Sequence, residues 1–106
     1  MSITNNKVLI ADDEPDILEL LKYNFETAGY EIQTATNGEI AIEIAQTFKP
    51  DLIILDIMMP VIDGIETCRL LRDNELFKNT FIIFLTARSE EYSEAVSYTH
   101  LTLPTK

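Results

Sequence analysis

Short apolar runs that stop abruptly at a carboxylate or a hydroxyl constrain this chain more than any other feature. Lys7-Val8-Leu9-Ile10-Ala11 ends in Asp12-Asp13-Glu14, Leu52-Ile53-Ile54-Leu55 leads into Asp56, and Phe81-Ile82-Ile83-Phe84-Leu85 ends at Thr86. Four or five consecutive apolar residues match the length of a strand buried on both faces, as in a parallel sheet covered by helices. Between the runs, apolar residues recur at three- and four-residue spacing. Ile17, Leu18, Leu21, Phe25 and Ala28 form one such face, opened by Pro15 and stopped by Gly29. Glu14 and Asp16 complement the dipole of that helix. Tyr30 to Ala35 alternates as a strand, and Thr36-Asn37-Gly38 reads as a turn. Ile40, Ala41, Ile44, Ala45 and Phe48 make a second helical stripe, closed by Pro50. After a loop from Ile57 to Gly64, a third helix offers Ile65, Cys68, Leu71 and Leu76 to the core. Ser89-Glu90-Glu91 is a candidate start for a fourth.

Strands alternating with amphipathic helices imply right-handed βαβ units and an α/β, doubly wound parallel sheet. In such sheets ligands bind beyond the carboxyl ends of the strands. Asp12, Asp13, Asp56 and Thr86 stand at those ends.

Length and charge narrow the function. With 106 residues the chain has room for one domain. Eighteen acidic residues against eight basic ones give a net charge of −10, which disfavours these residues as a DNA-binding surface, because that affinity rests on cations neutralising phosphates. One cysteine, Cys68, excludes an internal disulfide and suits a reducing cytoplasm. On its apolar helical face it reads as core rather than as a redox sensor. Neither a membrane-spanning run nor a secretion leader is visible.

Taken singly, each acid reads as a solvated loop charge. Together, three carboxylates in a crevice repel one another, and a hard divalent cation with oxygen preference resolves the conflict. Mg2+ suits such a site because it needs only one or two carboxylates plus a phosphate oxygen. Thr86 alone is an ordinary β-branched strand-end residue; its placement opposite Asp56 sets it apart. Pro60 and Asp63-Gly64 read as turn chemistry that shapes the acidic loop.

The motifs Asp12-Asp13, Leu-Ile-Ile-Leu-Asp56-Ile-Met-Met-Pro60-Val-Ile-Asp63-Gly64 and Phe-Leu-Thr86-Ala87 resemble the receiver domain of two-component response regulators, from Lys7 to about Glu94. The resemblance implies a flavodoxin-like sheet of order 2-1-3-4-5. It makes Asp56 the phosphoacceptor, taking a phosphoryl group from a sensor histidine kinase, and Thr86 the switch hydroxyl. Asp12, Asp13, Asp56 and the backbone carbonyl of Met58 would hold Mg2+. Catalysis would be limited to self phosphoryl transfer and autodephosphorylation. The segment Asp12 to Glu19 with Gly64 to Cys68 is most similar to regulators that carry a winged-helix domain. DNA would then be contacted only through an output domain outside these residues, with a homodimer forming when the protein is intact and phosphorylated. A stand-alone phosphorelay receiver, an aspartate-nucleophile phosphatase and a non-switching interaction domain are the alternatives. The phosphatase is disfavoured because such enzymes resemble Asp-x-Asp directly after the first strand.

The end of the chain departs from the family pattern, which continues with a fifth strand bearing Lys-Pro and a fifth helix. Residues 96–106 can instead be back-translated into codons that resemble a transposon-end sequencing adapter. The expected organisation is therefore a receiver truncated at residue 95, with strand five and helix five missing or replaced, followed by a non-native tail. A competing reading takes Tyr98 to Leu103 as strand five and Lys106 as the switch lysine.

Overall fold

The computed structural model describes residues 6–85. Its elements alternate as β1 (Lys7–Ala11), α1 (Pro15–Thr27), β2 (Glu31–Ala35), α2 (Gly38–Phe48), β3 (Leu52–Asp56), α3 (Gly64–Arg72), a 3-10 turn (Glu75–Phe77) and β4 (Phe81–Leu85). All pairings are parallel, in the order β2-β1-β3-β4. The doubly wound α/β sheet follows from the sequence pattern: parallel neighbours need helical crossovers, and those crossovers cover both faces. Expectations for Thr86, a helix opening at Ser89 and residues 96–106 lie outside the described residues.

The alternation of side chains along each strand divides the core in two. Leu9, Ala11, Ile53, Leu55 and Ile82 pack with Ala41, Ala45, Phe48, Leu71 and Phe77 on the α2–α3 side. Val8, Ile10, Ile32 and Ile54 pack with Leu18 of α1 on the other. Leu9, Ile10, Ile53 and Leu55 are fully buried, and each contributes about 1.5–3 kcal/mol by leaving water. Backbone bonds tie the base of the sheet. Lys7 N–H donates to the Asp51 carboxylate at 3.0 Å, and Asp51 N–H returns to the Lys7 carbonyl at 2.8 Å.

Several core assignments need correction. Ile40, Ile65 and Leu76 are exposed at 37%, 51% and 48%, and Ala28 lies past the end of α1, also exposed. The inward stripe of α3 is Gly64, Thr67 and Leu71; two of these are small or polar, so counting apolar residues misplaces the face. The chain leaves α3 at Arg72, and the 3-10 turn directs Phe77 inward in place of Leu76. Strand β4 is less enclosed than β3: Phe81 is 61% exposed and Ile83 to Leu85 are partly buried. Among the described residues β4 forms the edge of the sheet, with β3 as its one strand neighbour.

Candidate functional site

The register of the sheet places the acidic residues. Ala11 of β1 lies beside Leu55 of β3, so Asp12, one step past β1, comes level with Asp56, the last residue of β3. One carboxylate oxygen from each of Asp12, Asp13 and Asp56 can be chosen so that all lie within 4.8 Å of one another. Asp12 and Asp56 are buried, at 2% and 1% exposure, and Asp13 is partly exposed. The cluster is closed toward the core and open on one side.

Local backbone bonds set the orientation of these carboxylates. Glu14 N–H donates to Asp12 Oδ1 at 2.9 Å, which pins the turn into α1. Helix α1 begins at Pro15 with no side-chain cap; its first N–H donors at Ile17 and Leu18 go to the Glu14 carbonyl. Met58 N–H donates to Asp56 Oδ1 at 3.2 Å, curling the loop back over the end of β3. That loop closes through Ile62 N–H to the Pro60 carbonyl and Gly64 N–H to the Ile57 carbonyl. The Asp63 side chain then caps α3 by accepting from Glu66 N–H at 2.8 Å. Pro60 and Asp63 therefore serve as loop and cap residues, in line with their turn chemistry in the sequence.

Two backbone positions make the loop possible. The start of α3 touches the end of β3 so closely that a Cβ on Gly64 would lie 2.8 Å from Ile57 Cα and collide with the Asp56 carbonyl oxygen. Backbone cannot swing aside as a flexible side chain does. Gly64→Ala is expected to destabilise the domain by about 2 kcal/mol, on the scale of core overpacking. A urea midpoint equal to that of the parent would refute this. Val61 sits at φ +69°, a left-handed conformation that disfavours β-branched side chains. It is exposed, so its side chain contributes little packing in return. Val61→Asn, which tolerates that conformation, is expected to raise stability by about 1 kcal/mol; a lower urea midpoint would contradict the strain. The left-handed turn at Val61 has no sequence signal, since glycine or asparagine would ordinarily mark it.

A cavity of about 320 Å³ adjoins the carboxylates, lined by Asp12, Glu14, Ile17, Leu20, Leu21, Asp56 and Leu85. A larger cleft of about 610 Å³ lies at the opposite pole, around Lys7, Asp51 and Phe81, and holds none of the sequence-predicted site residues. Cys68 is half-buried against the α2–α3 core, and burial raises its thiol pKa against the opposing pull of Arg72. Depressed thiolate character of this kind suits a packing residue.

Carboxylates converging at the carboxyl ends of β1 and β3 define a parallel α/β protein with an acidic cluster whose oxygens could hold a hard cation. The response regulator receiver domain model matches residues 8–101, and the chain belongs to this family. It is 48% identical over 92 residues to the alkaline phosphatase synthesis transcriptional regulatory protein PhoP of Bacillus subtilis, covering 87% of this chain and 38% of that protein. The chain thus spans little more than a third of that relative. Among solved structures, the response regulator TrrA of Thermotoga maritima in complex with Mg2+-BeF is 42% identical with a TM-score of 0.73, covering 90% of this chain and 80% of that one. TrrA in complex with the histidine kinase ThkA is 44% identical with a TM-score of 0.71, covering 88% and 78%. No helix among the described residues is long and apolar enough to cross a membrane.

Proposed function

We propose that this domain accepts a phosphoryl group on Asp56 from the phosphohistidine of a sensor histidine kinase, in a Mg2+-dependent reaction in the cytoplasm. The observation that carries the reading is the convergence of Asp12, Asp13 and Asp56 within 4.8 Å, two of them buried. All three offer hard oxygen donors, the set that Mg2+ prefers. Asp12, Asp13, Asp56 and the Met58 carbonyl would hold the ion, which when bound offsets negative charge on the transferring phosphoryl group.

The chain's own residues supply position and nucleophile. Met58 N–H holds Asp56 Oδ1 and fixes the plane of the carboxylate. A carboxylate oxygen of Asp56 forms the new O–P bond as the P–N bond to the kinase histidine breaks and the imidazole leaves. The acyl phosphate carries about −1.5 to −2 charge in place of the carboxylate's single negative charge, and brings new acceptor oxygens to the end of β3. Thr86, next after β4, is proposed as the hydroxyl that hydrogen-bonds one of them, coupling modification to the surface. Catalysis is restricted to this transfer and to loss of the phosphoryl group.

Kinase recognition is supported by the complex of TrrA with ThkA, and Mg2+ by the complex of TrrA with Mg2+-BeF. Transcriptional output through a DNA-binding region outside these residues is supported by the regulatory name of PhoP. A homodimer in the phosphorylated, intact protein and a receiver boundary at residue 95 belong to the same proposal. The test is incubation with Mg2+ and acetyl phosphate followed by intact-mass analysis. One added phosphoryl group, lost on adding EDTA beforehand, is expected. No addition, with steady turnover of p-nitrophenyl phosphate instead, would favour the phosphatase.

A further inference from the structure

We propose that Gly38, at the start of α2, is a positioning residue for the loop that carries Met58. The inference rests on the Mg2+ reading above and concerns a residue outside the carboxylate cluster. Gly38 is buried where the N-termini of α2 and α3 meet. A Cβ built there would lie 2.8 Å from the Ile62 carbonyl oxygen and 3.2 Å from Ile62 Cβ, and would collide with Thr67 Oγ1.

Neither neighbour yields easily. Thr67 is fully buried and its hydroxyl donates to the Asp63 carbonyl at 2.7 Å, while the Ile62 oxygen belongs to the backbone. Asn37 caps the start of α2, accepting from Ile40 N–H at 2.9 Å. Helix α2 therefore braces the outer flank of the Asp56–Asp63 loop, and the bare Cα of Gly38 sets how closely the two approach. Any group added there pushes on Ile62, four residues from Met58 and on the same short loop. Within the 57–63 segment Met59 is anchored in the α2–α3 core and the rest is held by a few backbone bonds, so the push on Ile62 is taken up along the short loop that carries the proposed metal ligand.

Gly38→Ala in the full 106-residue chain is expected to lower the urea midpoint and to weaken Mg2+ binding by about tenfold, the lower end of the loss seen when groups supporting metal ligands are disturbed. Calorimetric titration with MgCl2 under native conditions reads the affinity directly. Adding Thr67→Ala opens the space beside Thr67, so the double variant should regain part of the midpoint. Its Mg2+ affinity should stay weak, because the Ile62 carbonyl is still pushed. Thr67→Ala alone should lower the midpoint while leaving the dissociation constant within about twofold, since the Asp63 carbonyl keeps its bond from Thr67 N–H.

Equal Mg2+ affinity in the parent and the folded Gly38 variants would overturn the positioning role while leaving the proposed function intact. A double variant that regains none of the midpoint would overturn it too, because the collision with Thr67 would be wrong. Failure of the parent chain itself to bind Mg2+ would overturn both readings.

Discussion

Asp56→Asn is expected to abolish phosphoryl incorporation from acetyl phosphate, a loss on the order of 10³-fold or more, as when an enzyme loses its nucleophile outright. The substitution is nearly isosteric. The amide oxygen can still accept from Met58 N–H at the position where Asp56 Oδ1 does so at 3.2 Å, so the loop has no reason to move. What disappears is the anionic nucleophile. Asp63→Asn is the matched control on the same loop: that residue caps α3 through Glu66 N–H, and asparagine caps as well as aspartate. Asp63→Asn should therefore be modified normally. Intact-mass spectra of the two variants separate the roles, and incorporation into Asp56→Asn at the parental rate would remove Asp56 as phosphoacceptor.

Mg2+ at about a hundred times its dissociation constant is expected to stabilise the native chain by about 2.7 kcal/mol, because on the proposed reading it would bind the folded cluster and not the dispersed carboxylates of the unfolded chain. For a domain of this size that corresponds to a rise in Tm of roughly 10 °C or more. The unfolded chain separates Asp13 and Asp56 by 43 positions in sequence; only the pairing of β1 with β3 assembles the ligands. A chain of net charge −10 also gains from general screening of self-repulsion. The comparison must therefore be with NaCl at matched ionic strength. Asp13→Asn keeps the shape of the site and removes one hard anionic ligand, so most of the Mg2+-specific increment should vanish. An equal increment in both proteins would place the ion elsewhere.

These two expectations draw on residues that stood out before any coordinates. Asp12, Asp13 and Asp56 each follow or end a run of fully apolar residues, and strand periodicity alone sends such residues to the carboxyl edge of a parallel sheet. What failed to show was anything carried by small or polar residues in the core. Thr67 and Gly64 form the inward stripe of α3 with Leu71, yet the apolar pattern pointed to Ile65. Gly38 read as turn chemistry, although its buried contact with Ile62 and Thr67 is a matter of close helix packing. Val61 carried no mark of its left-handed backbone.

Sequence alone determined the layering of this protein, because hydrophobic periodicity is a local property; α3, whose inward stripe includes Gly64 and Thr67, is the element whose buried face that periodicity does not declare. It likewise determined which ionisable residues end the strands. Tertiary structure decided how near those carboxylates approach one another and which helix braces the loop between Asp56 and Gly64. Such distances depend on contacts between segments far apart in the chain, and on the space left where a side chain is absent. No local pattern records that space.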